Sequence, residues 1–217
     1  MYFQIAIDGP SSSGKSSVAK TVARQLGFEY FSTGKMYRAF AYVMQVNRLD
    51  VNLLLKVINQ INWRFEHEKV FYNNADISEV ILNQEIAQLA SNLATNPEVR
   101  KMAVLRQQAL AKNTNIVMDG RDIGTVVLKD AQLKYFLDAK PEIRAQRRAQ
   151  DLGIAYDSDK AFQELVAEIK HRDAVDTSRT ADPLVQAPDA IYIDSSNLTF
   201  QQVVELMVQQ ARTVFKL

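Results

Sequence analysis

The chain has 217 residues, of which 47% are hydrophobic and 24% are charged, and its formal net charge is +1. These values are typical of one soluble α/β domain with insertions, and the near-zero charge excludes a global field that attracts nucleic acid or an anionic membrane. The chain contains no cysteine, which excludes a disulfide framework, a thiolate zinc site and a thiol nucleophile.

The first residues already have the pattern of a strand, so we expect neither a signal peptide nor a transit segment. No apolar stretch approaches the ~20 residues that are needed to cross a bilayer. We therefore expect a cytoplasmic protein that has neither a membrane nor a nucleic acid as a partner. We expect it to be a monomer.

The strand predicted at residues 3–7 leads into residues 9–16, which read Gly-Pro-Ser-Ser-Ser-Gly-Lys-Ser. This is the pattern of a phosphate-binding loop (P-loop), in which backbone N–H groups and a helix N-terminus converge on one anion. Lys15 is predicted to reach the β- and γ-phosphates of ATP, and the Ser16 hydroxyl to ligate Mg²⁺. The alternative is a chance match, expected in roughly one chain in a hundred at ordinary glycine usage. The predicted ATP site comprises Gly9, Pro10, Ser11, Ser12, Ser13, Gly14, Lys15, Ser16 and Ser17.

The first half of the chain alternates between strand and helix periodicity. Gly27 is predicted to end one helix and Asp50 to cap another. Aromatic residues interrupted by Glu-Lys and Asn-Asn turn signals predict a small antiparallel β insertion at residues 62–80. Besides this insertion, we predict a strand at 28–31 and helices at 15–26, 33–46, 51–60, 81–94 and 97–112.

The second half continues the alternation, with a polar break at residues 153–158. Strands that are separated by helical segments predict a mainly parallel sheet with helices on both faces. The elements predicted here are strands at 116–118, 133–137 and 190–193 and helices that begin near 141, 159 and 199, the last two ending near 172 and 214.

Acidic residues lie at the ends of two predicted strands. Asp119 is placed where P-loop folds commonly keep an acid that supports Mg²⁺ through water; the alternative is an acid that faces solvent. Asp8 is a second candidate, unless it only positions the turn. Arg121 and Asp122 follow Asp119, and because ligands bind at the carboxyl ends of parallel strands, we expect ligand contact rather than a surface ion pair.

The helix predicted to begin near residue 141 is rich in arginine. Arg144 and Arg148 lie four residues apart on one face, and Arg147 lies beside them. Such a face is usually solvated, but the planar guanidinium group also suits bidentate binding of phosphate. Together with the break at 153–158, these arginines predict a mobile lid that brings positive charge to a transferring phosphoryl group.

These motifs together resemble bacterial cytidylate (CMP) kinases, and the resemblance extends over nearly the whole chain. The segment Gly-Arg-Asp-Ile-Gly-Thr at 120–125 is the most specific part, whereas the P-loop alone fits many families. The matching stretches are residues 7–11, 15–16, 33–38, 119–127 and 168–173, with Asp176 and Arg179.

The resemblance implies transfer of the ATP γ-phosphoryl group to CMP or dCMP with Mg²⁺ as cofactor. It implies that Arg38 and Arg121 hold the acceptor phosphate, that Arg172 and Asp176 bind the ribose, and that the base is read by Asp122, Arg179, Arg106 and Ser91. The implied catalytic residues are Lys15, Arg121, Arg144 and Arg148. The implied acceptor site comprises Thr33, Tyr37, Arg38, Ser91, Arg106, Arg121, Asp122, Arg172, Asp176 and Arg179.

The resemblance also implies a fold class: an α/β P-loop three-layer fold with a mainly parallel five-stranded sheet, helices on both faces, a small antiparallel β insertion and a short lid. One departure is Ser32, where the family often has Asp, so no carboxylate is expected there. The implied single domain has a core at about 1–32, 95–150 and 173–217, an acceptor-binding region at about 33–94 and a lid at about 150–160.

Two alternatives to this function stay open. The first is a P-loop kinase for another small acceptor, such as UMP, AMP or a compound that is not a nucleotide. The second is a nucleotide-dependent switch, or an NTPase that acts on nucleic acid. The near-neutral net charge and the lack of a basic stripe argue against the second alternative.

Overall fold

The computed structural model describes residues 2–66, 69–153 and 158–217. Its centre is a five-stranded sheet in which every neighbouring pair of strands is parallel. The sheet confirms the predicted strands, which are β1 (Gln4–Asp8), β2 (Glu29–Ser32), β6 (Ile116–Gly120), β7 (Leu133–Asp138) and β8 (Ile191–Asp194). Their spatial order is β2-β6-β1-β7-β8.

Helices cover both faces of this sheet, as predicted. The helices are α1 (Lys15–Leu26), α2 (Thr33–Val46), α3 (Val51–Val57), α4 (Gln84–Leu93), α5 (Pro97–Ala111), α6 (Pro141–Leu152), α7 (Asp159–Ser178) and α8 (Phe200–Phe215). Because successive strand residues point to opposite faces, Ile5 and Ile7 pack with α1 and α8, whereas Ala6 and Met118 pack with α2, α4 and α5 on the other side.

The predicted insertion forms a separate antiparallel sheet of three strands, β3 (Trp63–Glu66), β4 (Lys69–Tyr72) and β5 (Ala75–Asp76). Aromatic side chains attach it to the rest of the chain. The Phe65 ring meets the Phe31 ring of β2 edge to face, with centroids 5.4 Å apart, and the Trp63 ring lies 5.5 Å from that of Phe40. The insertion is therefore anchored beside β2, an edge strand of the main sheet.

Three boundaries differ from the predictions. Helix α3 ends at Val57 instead of residue 60. The helix expected at 81–94 begins only at Gln84, because the Asn83 side chain accepts a hydrogen bond from the Glu85 N–H at 2.7 Å and caps α4 there. Helix α7 continues to Ser178 instead of ending near residue 172. It therefore carries Asp176 of the predicted acceptor site as well as Arg172. The predicted lid at 150–160 lies partly outside the described residues.

The turn that follows β1 requires glycine. Gly9 has φ of +156°, and a Cβ atom at this position would lie 2.1 Å from the main-chain oxygen of Leu137. Only a residue without a side chain permits β7 to approach the P-loop so closely. This contact holds the start of the loop against the sheet.

Candidate functional site

The carboxyl ends of β1, β2 and β6 open into one cleft with a cavity volume of about 350 Å³, which is in the range of small-molecule sites. The cleft brings together most of the predicted site residues from six separate parts of the chain. Those that line it are Ser11, Ser12, Gly14, Lys15, Ser16, Ser17, Thr33, Tyr37, Arg38, Ser91, Asp119, Arg121, Asp122, Arg148, Arg172, Asp176 and Arg179.

The backbone of the P-loop is held by cationic side chains, one from the loop itself and two from α6. Lys15 Nζ donates to the Pro10 carbonyl at 2.9 Å, Arg144 Nη1 to the Ser11 carbonyl at 3.0 Å, and Arg147 Nη1 to the Ser13 carbonyl at 3.1 Å. Each bond occupies an acceptor of the loop and fixes its backbone. The loop is thus preorganised to present its N–H groups to an anion.

Lys15 is buried at the start of α1, with 6% of its surface exposed. Burial lowers the pKa of Lys15 to about 7, and the positive charge of Arg121 adds to this shift. An unscreened ammonium group in such a place interacts strongly with a phosphate oxygen, because the local dielectric constant is low.

Ser16 and Asp119 supply oxygen donors beside Lys15. The Ser16 hydroxyl donates to Asp119 Oδ2 at 2.6 Å, and the Tyr30 hydroxyl donates to Asp119 Oδ1 at 2.8 Å. Thr33 Oγ1 donates to the Asp119 carbonyl at 2.9 Å. Burial, with a contribution from the Asp119 charge, raises the pKa of Tyr30, so the phenol keeps the proton that it donates.

A hydroxyl and a single carboxylate fit Mg²⁺, which keeps several waters and binds through substrate phosphates and one or two protein oxygens. They do not fit a metal that needs a complete protein cage. Consistent with this, the described residues contain no group of three or more His, Cys, Asp or Glu side chains that could hold a metal ion.

Asp8 was the second candidate for supporting Mg²⁺, with positioning of a turn as the alternative. Its carboxylate accepts hydrogen bonds from the Ile123 N–H at 2.8 Å and the Gly124 N–H at 2.7 Å. Both oxygens are therefore used to hold the turn after β6. Asp8 joins β1 to that turn and positions it.

We expect Asp8 to make stability depend on pH. Burial raises the pKa of Asp8 from 3.8 to about 7. Between these two pH values the folded state binds a proton that the unfolded state releases. The stabilisation that comes from protonated Asp8 is therefore fully present below about pH 4 and is lost as the pH rises through about 7. In urea unfolding, the free-energy difference between wild type and Asp8→Asn should shrink by up to about 1.4 kcal/mol per pH unit across that interval. A difference that does not change with pH contradicts this expectation.

Four arginines form a cationic wall in the cleft. Burial lowers the pKa of Arg172 to about 10 and also lowers that of Arg38, with neighbouring arginines adding to both shifts. Among the described residues, Arg172 Nε has no hydrogen-bond partner. Arg121 is paired through Nε with Asp176 Oδ2 at 2.7 Å, and Arg148 completes the wall. Because the positive charges repel one another, binding of an anion between them is favourable.

A buried charge network borders the cleft. Arg100 forms an ion pair with Asp122 and donates through Nε to Asp182 at 2.9 Å. Its guanidinium carbon lies 5.8 Å from the centre of the Tyr37 ring. Arg179 Nη2 lies 3.6 Å from Asp122 Oδ1 and has no hydrogen-bond partner among the described residues. The network offers a carboxylate and an unsatisfied guanidinium donor to a ligand.

Two arginines, one from the predicted acceptor site and one from the predicted catalytic set, are not among the described residues that line this cleft. Arg106 Nη2 donates to the Ile58 carbonyl at 3.0 Å and to Asn59 Oδ1 at 3.1 Å, behind α3. Arg144 is buried, and its guanidinium group is held by the Ala139 carbonyl and by Asp173 as well as by the P-loop. The expectation that Arg106 reads the base and Arg144 acts on the phosphoryl group must therefore be corrected: Arg106 anchors α3, and Arg144 positions the loop.

Gly9, Pro10 and Ser13 belong to the P-loop but are not among the described residues that line the cleft. Gly9 packs against β7, Pro10 presents its carbonyl to Lys15, and Ser13 is buried. These three shape the loop from behind.

Arg100 and Tyr30 were missed by the sequence analysis. A signal for Arg100 exists in the pattern of α5, because it lies in register with the buried residues Ala103, Gln107 and Ala111 at helical spacing. Arg106 lies outside that register. A cation on an apolar stripe needs a buried partner, and this marks Arg100 rather than Arg106.

A second, smaller cavity of about 40 Å³ lies between β2 and the insertion, beside Phe31, Phe65 and Val70. It has room for about one water molecule. A nucleotide does not fit there. In the described part of the chain, no helix combines the length and the apolar character that crossing a membrane requires.

Comparisons of the sequence with known proteins point to one family. The family model described as Cytidylate kinase matches residues 5–213. The chain is 65% identical to the cytidylate kinase of Mycoplasma genitalium over 217 residues, 100% of both chains. It is 43% identical to that of Clostridium botulinum over 207 residues, which cover 93% of this chain and 94% of the relative.

Among solved structures, a gluconokinase from Sinorhizobium meliloti 1021 is similar with a TM-score of 0.51, covering 99% of this chain and 94% of that chain. The sequence identity is 12%. At this level, the likeness shows the fold alone.

Proposed function

Since the chain belongs to the cytidylate kinase family, we propose that it transfers the γ-phosphoryl group of ATP to CMP or dCMP, giving ADP and CDP or dCDP. One observation carries this proposal: the P-loop and the cationic wall line the same cleft. A triphosphate on one side and a monophosphate on the other would place a donor and an acceptor next to each other.

On the donor side, the P-loop would bind the ATP phosphates, with Lys15 at the β- and γ-phosphates. Mg²⁺ would be held by Ser16 and, through water, by Asp119, and it would neutralise charge on the phosphates. The short bond between Ser16 and Asp119 supports this role.

On the acceptor side, Arg38 and Arg121 would hold the phosphate of CMP, with Arg148 close to the transferring group. Arg172 and Asp176 would bind the ribose. The unpaired donors and the lowered pKa of Arg172 support a site that is completed by an anion. The acceptor oxygen is already anionic, so the reaction needs positioning and charge neutralisation rather than a general base.

The base would lie against Asp122, Arg179, Ser91 and Arg100. Cytosine presents an amino donor next to ring acceptors, which complements a carboxylate beside a guanidinium group. The cleft also has an apolar lining, which Leu82, Ala87 and Ala90 supply. Thr33 and Tyr37 line the same cleft.

The function is tested by a coupled assay of ADP formation with CMP, dCMP, UMP and AMP as acceptors. We expect turnover with CMP and dCMP to exceed that with UMP and AMP by at least about tenfold, because a missing hydrogen bond to a buried polar group is costly. Equal kcat/KM values for CMP and UMP contradict the proposed reading of the base. ATP hydrolysis of the same rate without any acceptor favours a switch NTPase.

A further inference from the structure

The carboxylate of Asp119 is buried and is held at both oxygens. Asp119 is 2% exposed; Ser16 donates to Oδ2 and Tyr30 to Oδ1. The terminal torsion of an aspartate is broad, so the plane of the carboxylate is not fixed by the side chain alone. The Tyr30 hydroxyl binds one oxygen and so restricts the plane to one in which the other oxygen faces Ser16.

The orientation of Asp119 also sets that of the Ser16 hydroxyl. A hydroxyl group has one proton to donate and two lone pairs. Because the Ser16 proton is directed to Asp119 Oδ2, the lone pairs remain available to a cation. A carboxylate turned away from Ser16 would leave that proton without this acceptor, and the hydroxyl would then be free to point its proton into the cleft.

From this chain of hydrogen bonds, which rests on the proposed function, we propose that Tyr30 is a positioning residue for Mg²⁺. It acts through Asp119 and does not touch the ion or the substrates. Its place on β2 makes the role possible: Ser32 of β2 pairs with Asp119 of β6, and Tyr30 lies two residues earlier on the same strand, with its hydroxyl within reach of the carboxylate.

Tyr135 provides a matched control for a Tyr→Phe substitution. It is fully buried in β7, and its hydroxyl has one long bond, 3.5 Å, to the Met207 carbonyl. It packs among α1 and α8 side chains, on the face of the sheet that is turned away from the acceptor region. Both substitutions remove one hydroxyl from a buried ring.

The test is calorimetric binding of ADP with and without Mg²⁺, which does not depend on turnover. We expect Tyr30→Phe to reduce the gain in ADP affinity that Mg²⁺ provides by about tenfold, while the affinity for metal-free ADP stays at the wild-type value. Tyr135→Phe should keep the full gain. In combination with Asp119→Asn, the loss from Tyr30→Phe should largely disappear, since Tyr30 acts through that carboxylate.

Three results would overturn the inference: an unchanged magnesium gain in Tyr30→Phe, an equal loss in metal-free ADP affinity, or effects of Tyr30→Phe and Asp119→Asn that add. Thermal unfolding of each variant separates a folding defect from a change in metal binding. If wild type gains affinity from Mg²⁺ and Tyr30→Phe loses it, the inference is supported even where CMP is not phosphorylated. A failure to phosphorylate CMP would contradict only the proposed acceptor, and the inference about Tyr30 would stand.

Discussion

Replacing Lys15 by alanine is expected to reduce kcat by about 10²–10³-fold, the typical loss on removal of one preorganised electrostatic contact to a transition state. Lys15 is buried at the P-loop with its pKa lowered to about 7 by burial. A phosphate that enters the cleft meets a cation that water does not screen. Steady-state kinetics with saturating CMP measure the loss.

The same substitution should leave the fold nearly intact, because a desolvated ammonium group is a cost to the folded state. We expect the midpoint of thermal unfolding to fall by less than about 4 °C. The matched control is Lys134→Ala: Lys134 is also buried, but it is paired with Asp189 and bound to the Lys129 carbonyl. That variant should lose stability and keep its turnover number. A Lys15→Ala enzyme with normal kcat contradicts the assignment of the loop.

Replacing Arg100 by methionine is expected to damage both stability and binding of CMP. Removal of one partner from a buried ion pair leaves the other charge uncompensated, at a cost of about 3 kcal/mol. Here Asp122 would lose its closest cation and Asp182 a hydrogen bond. Thermal unfolding should shift down by about 10 °C. Because Asp122 then relaxes toward Arg179, the KM for CMP should rise by at least about tenfold.

Arg106→Met is the control for Arg100→Met, because it removes another arginine from the same helix, α5. Arg106 is bound to the Ile58 carbonyl and to Asn59, away from the cleft. We therefore expect a modest loss of stability and a KM for CMP close to that of wild type. If Arg106→Met raised the KM for CMP and Arg100→Met did not, the network around Asp122 would have been assigned wrongly.

The donor half of the site was readable from the sequence because its signal is local. Glycine spacing, Lys15 and Ser16 lie within eight consecutive residues, and the preceding apolar strand fixes the direction in which the loop opens. The structural counterpart of that pattern is Gly9, where a Cβ atom would clash with the main chain of Leu137. The apolar pattern of the strand Ile116–Gly120 likewise predicted that Asp119 lies at the carboxyl end of the sheet.

The acceptor half was only partly readable, because its members come from α2, α4, α5, α7 and the turn after β6. The family resemblance supplied most of them, and the structure brings them to one cleft. It does not bring Arg106 there. Arg106 follows Arg100 by six residues, which is about 1.7 helical turns, so the two side chains point to different faces of α5. Helix α7 is longer than its predicted pattern because tertiary contacts outweigh weak local propensity.

By itself, the sequence determined the order of strands and helices, the parallel sheet, the phosphate-binding loop and the family to which the chain belongs. These follow from periodicity and from motifs that are contiguous. Only the tertiary structure decided that Arg100 pairs with Asp122, that Arg144 and Arg147 hold the loop from behind, and that the Tyr30 hydroxyl donates to Asp119. The physical reason is that a hydrogen bond or ion pair across 22, 89 or 133 residues depends on how elements pack, and no local pattern encodes that packing.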